Sequence, residues 1–169
     1  MIPLCLVLGD STAVGTAQAL ASQGVQCAVH AREGAPSIET VKTWHSGSFT
    51  ERALIALGSN DALNPKLASN LRLLRGRVSA TRVTWLAPYH SRAAQIVAEV
   101  AAEFGDDVVH LGRFSSKDRV HPRSYRVVAS ALQWQMPSSI PDRYRTARSA
   151  PIPVPQAPAS IRQAVVMTF

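Results

Sequence analysis

Cysteine, lysine and aromatic residues are scarce in this chain of 169 residues, and it has no long apolar run. Two cysteines are too few for a small disulfide-rich secreted scaffold. Aromatic residues make up 6%, and no basic stripe is interleaved with them, so the signature of a nucleic-acid-binding surface is missing. No apolar run reaches the roughly 20 residues that a transmembrane helix needs. What remains, 46% hydrophobic and 17% charged residues, is the composition of a globular domain with a proper core.

The two cysteines and the apolar amino terminus bear on the compartment. Cys5 and Cys27 lie in apolar runs typical of strands, so we expect two buried, reduced thiols, with a structural disulfide as the alternative. Residues 1–8 are apolar like a short signal peptide, but they contain no basic residue and lead directly into Gly9. We expect them to form the first strand of a cytoplasmic or particle-associated (virion) protein without a cleavable signal peptide.

The net charge of +7 is carried by fifteen arginines and only three lysines. A basic surface attracts anionic partners such as nucleic acid, acidic glycan or another protein. Because no nucleic-acid-binding motif accompanies the charge, a basic surface without a dedicated partner is the favoured interpretation, and nucleic acid is disfavoured.

Short apolar runs alternate with helical segments along most of the chain, which is typical of a parallel sheet covered on both faces by helices. In such sheets, ligands bind beyond the carboxyl ends of the strands. The predicted fold class is therefore α/β, with three layers and a five-stranded parallel sheet. The predicted strands are residues 4–8, 25–30, 53–57, 82–87 and 107–111, and the predicted helices are residues 12–23, 37–44, 65–75, 91–104 and 122–135. Ser37 is expected to cap the second of these helices and Asn64 the third.

The composition changes after Met136. Residues 137–169 contain six prolines and four arginines, and residues 151–155 favour polyproline II. We predict a core domain at residues 1–136 and a Pro/Arg-rich extension at 137–169, whose apolar end would suit a docking arm for a protein partner. Deleting the extension would then change assembly and leave the chemistry of the core domain intact.

Three short polar stretches each follow a predicted strand. Ser11 would open a helix, where backbone N–H groups and the helix dipole favour an anion, so it is a candidate nucleophile whose own N–H stabilises an oxyanion. The Asn60 side-chain amide and the Gly34 N–H are candidates for further oxyanion donors. Taken singly, these stretches have simpler interpretations as a helix cap, a turn and a loop glycine.

Asp118 and His121 supply the base that a serine nucleophile needs. They are three residues apart near the start of the predicted last helix, so the carboxylate can accept from imidazole Nδ1–H while Nε2 faces the serine. The alternative is a capping aspartate beside an unrelated histidine. The histidines at positions 30, 45, 90 and 110 are expected to be structural or exposed, and no ligand spacing predicts a metal.

The chain thus carries Gly9-Asp10-Ser11, then Gly34, Gly58-Ser59-Asn60-Asp61 and Asp118-Arg119-Val120-His121. In order, spacing and placement after strands, these resemble the four signature blocks of the SGNH (GDSL-type) hydrolases over about residues 3–135, although Thr12 departs from the leucine that often follows the serine. The resemblance implies a flavodoxin-like three-layer fold and ester hydrolysis without metal or organic cofactor. It implies Ser11 as nucleophile, His121 as base, Asp118 as the residue that orients the base, and Ser11, Gly34 and Asn60 as the oxyanion hole.

The expected function is a serine-dependent ester hydrolase that removes short acyl groups, such as acetyl, from a carbohydrate or other polymer. The chain is near the small end for this family and leaves little room for a lid or a long acyl tunnel, so we expect a shallow site. The alternative is an assembly subunit on an SGNH scaffold, for example of a phage virion, with envelope-glycan deacetylation or no activity. A flavodoxin-like nucleotide or receiver domain is disfavoured, because it lacks a Walker-type glycine loop and leaves the Asp118–His121 pair unexplained.

Overall fold

The computed structural model describes residues 5–134 of the chain, and within them strands and helices alternate regularly. A single turn of 3₁₀ helix at Leu111–Arg113 follows the last strand. The strands are β1 (Cys5–Gly9), β2 (Ala28–Ala31), β3 (Thr50–Ala56), β4 (Ala80–Ala87) and β5 (Asp107–His110). The helices are α1 (Ser11–Ser22), α2 (Ser37–Thr43), α3 (Leu67–Arg75), α4 (Ser91–Phe104) and α5 (Tyr125–Ala131).

The five strands form one sheet in the order β2-β1-β3-β4-β5, and every neighbouring pair is parallel. This is the strand order of the flavodoxin-like doubly wound fold. The predicted fold class, a five-stranded parallel sheet between two helical layers, is confirmed. Its topology brings the carboxyl ends of all five strands to one edge, where the loops that follow them can meet.

Each face of the sheet has its own apolar core, because successive side chains of a strand point to opposite faces. Helices α2, α3 and α4 cover one face, and α1 and α5 cover the other. The first core contains, among others, Leu6, Leu8, Ile55, Leu71, Trp85 and Val97, and the second contains Val7, Leu20, Leu54, Leu86, Leu111 and Val128.

The observed boundaries of several helices differ from the predicted ones. Helix α4 spans the predicted residues, and Gly105 ends it in the left-handed conformation at φ 70°. The predicted cap at Asn64 forms a turn instead, because its side chain accepts from the Lys66 N–H and α3 begins at Leu67. The last helix is shorter than predicted at both ends, since residues 122–124 belong to the preceding loop.

The expectation of two reduced thiols is wrong. Cys5 and Cys27 form a disulfide with their Cα atoms 4.6 Å apart. The parallel register pairs Leu6 with Ala28, so the residues just before this pair lie side by side on β1 and at the entry to β2. Disulfides are rare in cytosolic proteins and persist in oxidising compartments. The location of the protein, cytoplasmic or particle-associated, stays a prediction.

Within residues 5–134, no helix combines the length and the apolar character that crossing a membrane would require. The predicted extension at residues 137–169 and the domain boundary before it lie outside the described residues.

Candidate active site

The four sequence blocks meet beyond the carboxyl ends of the strands. Ser11, Gly34, Asn60 and His121 all line one cavity of about 500 Å³. Ser11 follows β1, Gly34 follows β2, Asn60 follows β3, and His121 lies in the loop between β5 and α5. Four segments that are far apart in sequence therefore contribute to a single site, in the position that the doubly wound topology predicts.

A sharp turn from β1 into α1 presents Ser11. Gly9 has φ 144°, and a Cβ atom at this residue would lie only 1.9 Å from the Ala56 carbonyl oxygen of β3. The next residue, Asp10, donates its N–H to that same carbonyl at 3.0 Å. Only glycine allows this close approach, so the strand can end abruptly and α1 can begin at Ser11.

Asp10 caps α1 and does not line the cavity. Its Oδ1 accepts from the Thr12 N–H at 2.9 Å and from the Thr12 hydroxyl at 2.7 Å. Burial raises the pKa of the Asp10 carboxyl above its ordinary value, although the donors of Thr12 oppose that shift. The capping interpretation of this stretch therefore holds for Asp10, while Ser11 is left free to face the cavity.

Ser11, His121 and Asp118 form a continuous hydrogen-bonded chain. Ser11 Oγ and His121 Nε2 are 2.9 Å apart. On the other side of the ring, His121 Nδ1 lies 2.7 Å from Asp118 Oδ2. An ionised Asp118 can only accept, so the proton of the neutral imidazole belongs on Nδ1, and Nε2 is left to accept from the Ser11 hydroxyl. Such an arrangement can transfer a proton from the serine to the imidazole.

Asp118 and His121 lie in a tight hairpin that precedes α5, in the loop region where the sequence places them. The hairpin, residues 115–123, is closed by a bridge between Ser116 and Pro122. The Ser116 hydroxyl donates to the His121 carbonyl at 2.6 Å and accepts from the Arg119 N–H at 2.8 Å. Arg119 adopts the left-handed conformation at φ 60°. These bonds bring Asp118 and His121 together without a helix.

The Asp118 carboxylate is held ionised by its donors. Hydrogen bonds from the His121 side chain, then from the backbone N–H groups of His121 and Val120, keep the pKa of Asp118 well below its usual range. The pair is nevertheless open to solvent, since the side chains of His121 and Asp118 are 42% and 50% exposed. The hydrogen bonds, rather than burial, therefore determine the charge of this carboxylate.

Asn60 has one amide hydrogen engaged and one available. Its Nδ2 donates to the Ala35 carbonyl at 3.3 Å, which ties the loop after β3 to the loop after β2. A carboxamide carries two N–H donors, so the second can serve a ligand in the cavity. Gly34 precedes Ala35 in the left-handed conformation at φ 72°, within a turn closed by the Ala35 N–H and the Arg32 carbonyl at 3.1 Å.

Asp61 anchors the Asn60 loop, a role that the sequence did not reveal. Its Oδ2 accepts from the Ser37 N–H at 3.1 Å, from the Ser37 hydroxyl and from the Asn64 amide at 3.2 Å. Asn70 of α3 donates in turn to the Ser37 hydroxyl at 2.9 Å. Ser37 had been expected to cap α2, but its side chain binds Asp61 instead.

Sequence reasoning also missed part of the cavity wall. Val14, Gly15 and Gln18 follow Ser11 at helical spacing, and this periodicity is a signal that would have found them. Tyr125 also lines the cavity, but it lies on α5 and no spacing in the sequence relates it to Ser11. Its ring packs on Gly15 so closely that a Cβ atom there would lie 2.4 Å from the ring. Burial raises the pKa of Tyr125 to about 12, so the phenol stays neutral.

The histidine of β2 is not part of the candidate site. His30 lies outside the cavity that contains Ser11, with its Nε2 2.8 Å from the Thr43 hydroxyl and its ring 5.4 Å from that of Trp44. Within residues 5–134, no group of three or more His, Cys, Asp or Glu side chains is arranged to hold a metal ion.

Solved structures with the same architecture include several enzymes. Est24, a carbohydrate acetylesterase from Sinorhizobium meliloti, matches with 13% identity and a TM-score of 0.57, over 76% of this chain and 97% of its own. The aryl esterase of M. smegmatis matches with 14% identity and a TM-score of 0.56, over 78% and 99%. The chain has the SGNH hydrolase fold.

A third neighbour is the C-terminal catalytic domain of peptidoglycan O-acetyltransferase A from Streptococcus pneumoniae, with 15% identity and a TM-score of 0.53, over 79% of this chain and 94% of that domain. No family model and no curated protein matches the sequence. At these identities the likeness concerns the fold, and the chemistry of the site has to be inferred from its own residues.

Proposed function

We propose that this protein is a serine-dependent carboxylic ester hydrolase of the SGNH type. The observation that carries the proposal is the chain of contacts from Ser11 Oγ to His121 Nε2 at 2.9 Å and from His121 Nδ1 to Asp118 Oδ2 at 2.7 Å. It ends in a solvent-open cavity at the carboxyl edge of the sheet. A nucleophile within reach of a base that a third group orients is the usual mark of acyl-transfer chemistry.

The first half of the reaction forms an acyl-enzyme. Ser11 Oγ attacks the ester carbonyl carbon while its proton moves to His121 Nε2. The carbonyl oxygen becomes an oxyanion, which the N–H groups of Ser11 and Gly34 and the free amide hydrogen of Asn60 stabilise. The tetrahedral intermediate then collapses, the C–O bond to the leaving alcohol breaks, and His121 returns its proton to that alcohol.

The second half releases the acid. His121 Nε2 takes a proton from a water molecule, which attacks the acyl carbon, and the new oxyanion occupies the same three donors. Collapse breaks the bond to Ser11 Oγ, which recovers its proton from His121. Asp118 stays ionised throughout and stabilises the imidazolium that forms in each half, consistent with its lowered pKa.

The substrate is an ester with a short acyl group, such as acetyl on a carbohydrate. Two of the neighbours with this fold, a carbohydrate acetylesterase and the catalytic domain of a peptidoglycan O-acetyltransferase, support this choice. The exposure of the Asp118–His121 pair also supports it, since a polymer can approach an open site. The assembly-subunit alternative receives no support from these neighbours.

Hydrolysis of p-nitrophenyl acetate by single variants tests the proposal. Ser11→Ala removes the attacking oxygen and should lower kcat by about 10³-fold or more. His121→Ala removes the base, and a similar loss is expected because residues that act as a unit are not additive. Ser22→Ala is the matched control, because this serine is exposed at the far end of the same helix, where its hydroxyl donates to the Ala19 carbonyl. Comparable rates for Ser11→Ala and Ser22→Ala would refute the assignment.

A further inference from the structure

The segment that contains Asp118 and His121 carries a concentration of positive charge. Between Arg113 and Arg126 there are five cationic side chains, and all of them are exposed. The only acidic residue in this stretch is Asp118, whose carboxylate is engaged by His121. The five cations are Arg113, Lys117, Arg119, Arg123 and Arg126.

Within residues 5–134, several arginines have an acidic partner, whereas the five cations of this segment do not. Arg32 pairs with Glu39 at 2.5 Å, Arg72 with Glu103 at 2.6 Å, and Arg75 with Asp106 at 2.6 Å. None of the five cations forms an ion pair with any residue between 5 and 134. No acidic side chain of the described residues therefore neutralises their charge.

Three of the cations lie on the same hairpin as Asp118 and His121. Lys117 and Arg119 flank Asp118, and Arg123 follows the bridge that closes the hairpin, with its N–H donating to the Ser115 carbonyl at 2.8 Å. None of the three is more than four residues from His121, so their Cα atoms lie within about 14 Å of that of His121. This upper limit exceeds the Debye length of about 8–10 Å at physiological ionic strength, but the hairpin is not an extended chain and the long side chains also shorten the distance.

On the side that follows β2, the cavity is lined by an acidic residue and not by a cation. This acidic residue is Glu33, and the neighbouring Arg32 is occupied by Glu39. A negatively charged substrate would therefore approach Ser11 from the side of the hairpin. The hairpin cations do not attract a small neutral ester, whereas a polymer with repeated negative charges can be attracted to several of them at once.

We propose that the ester acted on is borne by an anionic polysaccharide, whose acidic groups bind Lys117, Arg119 and Arg123 while an O-acyl group reaches Ser11. The proposal rests on the esterase function proposed above and adds the class of polymer to it. Arginine suits carboxylate recognition because its guanidinium binds both oxygens at once. The cations act on binding and on the approach of the polymer, and the hydrolysis itself proceeds as already described.

The double variant Lys117→Gln/Arg123→Gln tests this proposal. Arg119 is left in place because its left-handed backbone belongs to the turn that positions Asp118. Values of kcat/KM are measured on O-acetylated polygalacturonate, on an O-acetylated neutral glucan and on p-nitrophenyl acetate. Removing two exposed charges should lower the ratio of the acidic-polymer value to the p-nitrophenyl acetate value by about 2- to 30-fold. The salt dependence of the acidic-polymer reaction should weaken as well.

The matched control is Lys42→Gln/Arg82→Gln, which removes one lysine from the last turn of α2 and one arginine from the amino-terminal half of β4. Both are exposed, and neither forms an ion pair within residues 5–134. This control should leave the ratio unchanged. An unchanged ratio in the hairpin variant, an equal fall on the neutral polymer, or a wild-type preference for the neutral polymer would overturn the proposal. Wild-type binding to duplex DNA with no discrimination between the two polymers would also overturn it. Lack of hydrolysis of all three substrates would instead refute the esterase function itself.

Discussion

At the scale of single residues, the site depends on side chains that use one hydrogen-bonding group for structure and keep another for chemistry. His121 binds Asp118 through Nδ1 and faces Ser11 with Nε2. Asn60 fixes its loop through one amide hydrogen and keeps the other for the cavity. In both cases the structural bond orients the group before a substrate arrives, which lowers the cost of reorganisation in the transition state.

Asn60→Ala should lower kcat for p-nitrophenyl acetate by about 10²–10³-fold, because the loss of one oxyanion donor has that effect in other acyl-transfer enzymes. KM should change much less, since the donor acts on charge that develops during the reaction. Gln18→Ala provides the matched control, as it removes another amide that lines the same cavity. If the two variants lost activity equally, Asn60 would be an ordinary wall residue.

The pH dependence should carry no contribution from the Asp118 carboxylate near pH 4. The pKa of Asp118 is lowered, so Asp118 remains ionised where an ordinary aspartate would become protonated, near pH 4. The carboxylate that orients the base is therefore kept as the pH falls through this range. A plot of log(kcat/KM) against pH should show no additional steepening near pH 4. An additional steepening there, with the fold intact by circular dichroism, would mean that Asp118 titrates in that range.

At the scale of elements, β2 is a short strand at the edge of the sheet, next to the candidate site. It has four residues, and within residues 5–134 it pairs with β1 alone. Its Val29 is 51% exposed, yet the strand leads into the loop that contains Gly34. The Cys5–Cys27 disulfide joins the entry of this strand to the start of β1. A short edge strand with little buried surface is poorly held by packing alone, so the covalent link secures the element that positions an oxyanion donor.

Cys5→Ser/Cys27→Ser should lower the free energy of unfolding by about 3 kcal/mol, because the link closes a loop of 22 residues. Urea unfolding of oxidised wild type, reduced wild type and the double variant measures this effect. Reduced wild type and the variant should coincide, and dithiothreitol should leave the variant unchanged. Equal stability of oxidised and reduced wild type would contradict a stabilising role for the disulfide.

Residues placed by a single element could be predicted from the sequence, whereas contacts between distant elements could not. Ser11 and Asn60 could be predicted because each lies just past an apolar strand, in a fold that gathers strand ends. The disulfide could not, because it depends on which strands are neighbours and in what register. Strands β3 and β4 begin earlier than predicted, at Thr50 and Ala80, because their amino ends are partly exposed and carry polar residues that break the apolar run. Asp61 and Tyr125 act through contacts between distant segments, which no local pattern reveals.

At the scale of the whole molecule, the cavity limits the acyl group. Its volume is about 500 Å³, but much of its lining is polar or charged, including Gln18, Glu33, Asn60 and His121. Apolar contact comes chiefly from Val14 and the Tyr125 ring. Burying a longer alkyl chain gains about 0.8 kcal/mol for each methylene only when the surrounding wall is apolar.

The kcat/KM values for p-nitrophenyl esters should therefore fall from acetyl to octanoyl, because each added methylene meets polar groups rather than apolar surface. Val14→Ala should lower the values for the short esters only slightly, as it removes little of the wall that they contact. A series of acetyl, butyryl, hexanoyl and octanoyl esters measures the trend. A rise towards octanoyl would contradict a short-acyl site.

The whole proposal depends on whether Ser11 is a nucleophile that His121 activates. Labelling the intact protein with a fluorophosphonate and identifying the modified peptide by mass spectrometry tests this without knowledge of the natural ester. One adduct, on Ser11, should form in wild type, labelling should slow strongly in His121→Ala, and none should appear in Ser11→Ala. An unlabelled wild type, or an adduct on another serine that persists in Ser11→Ala, would contradict the assignment.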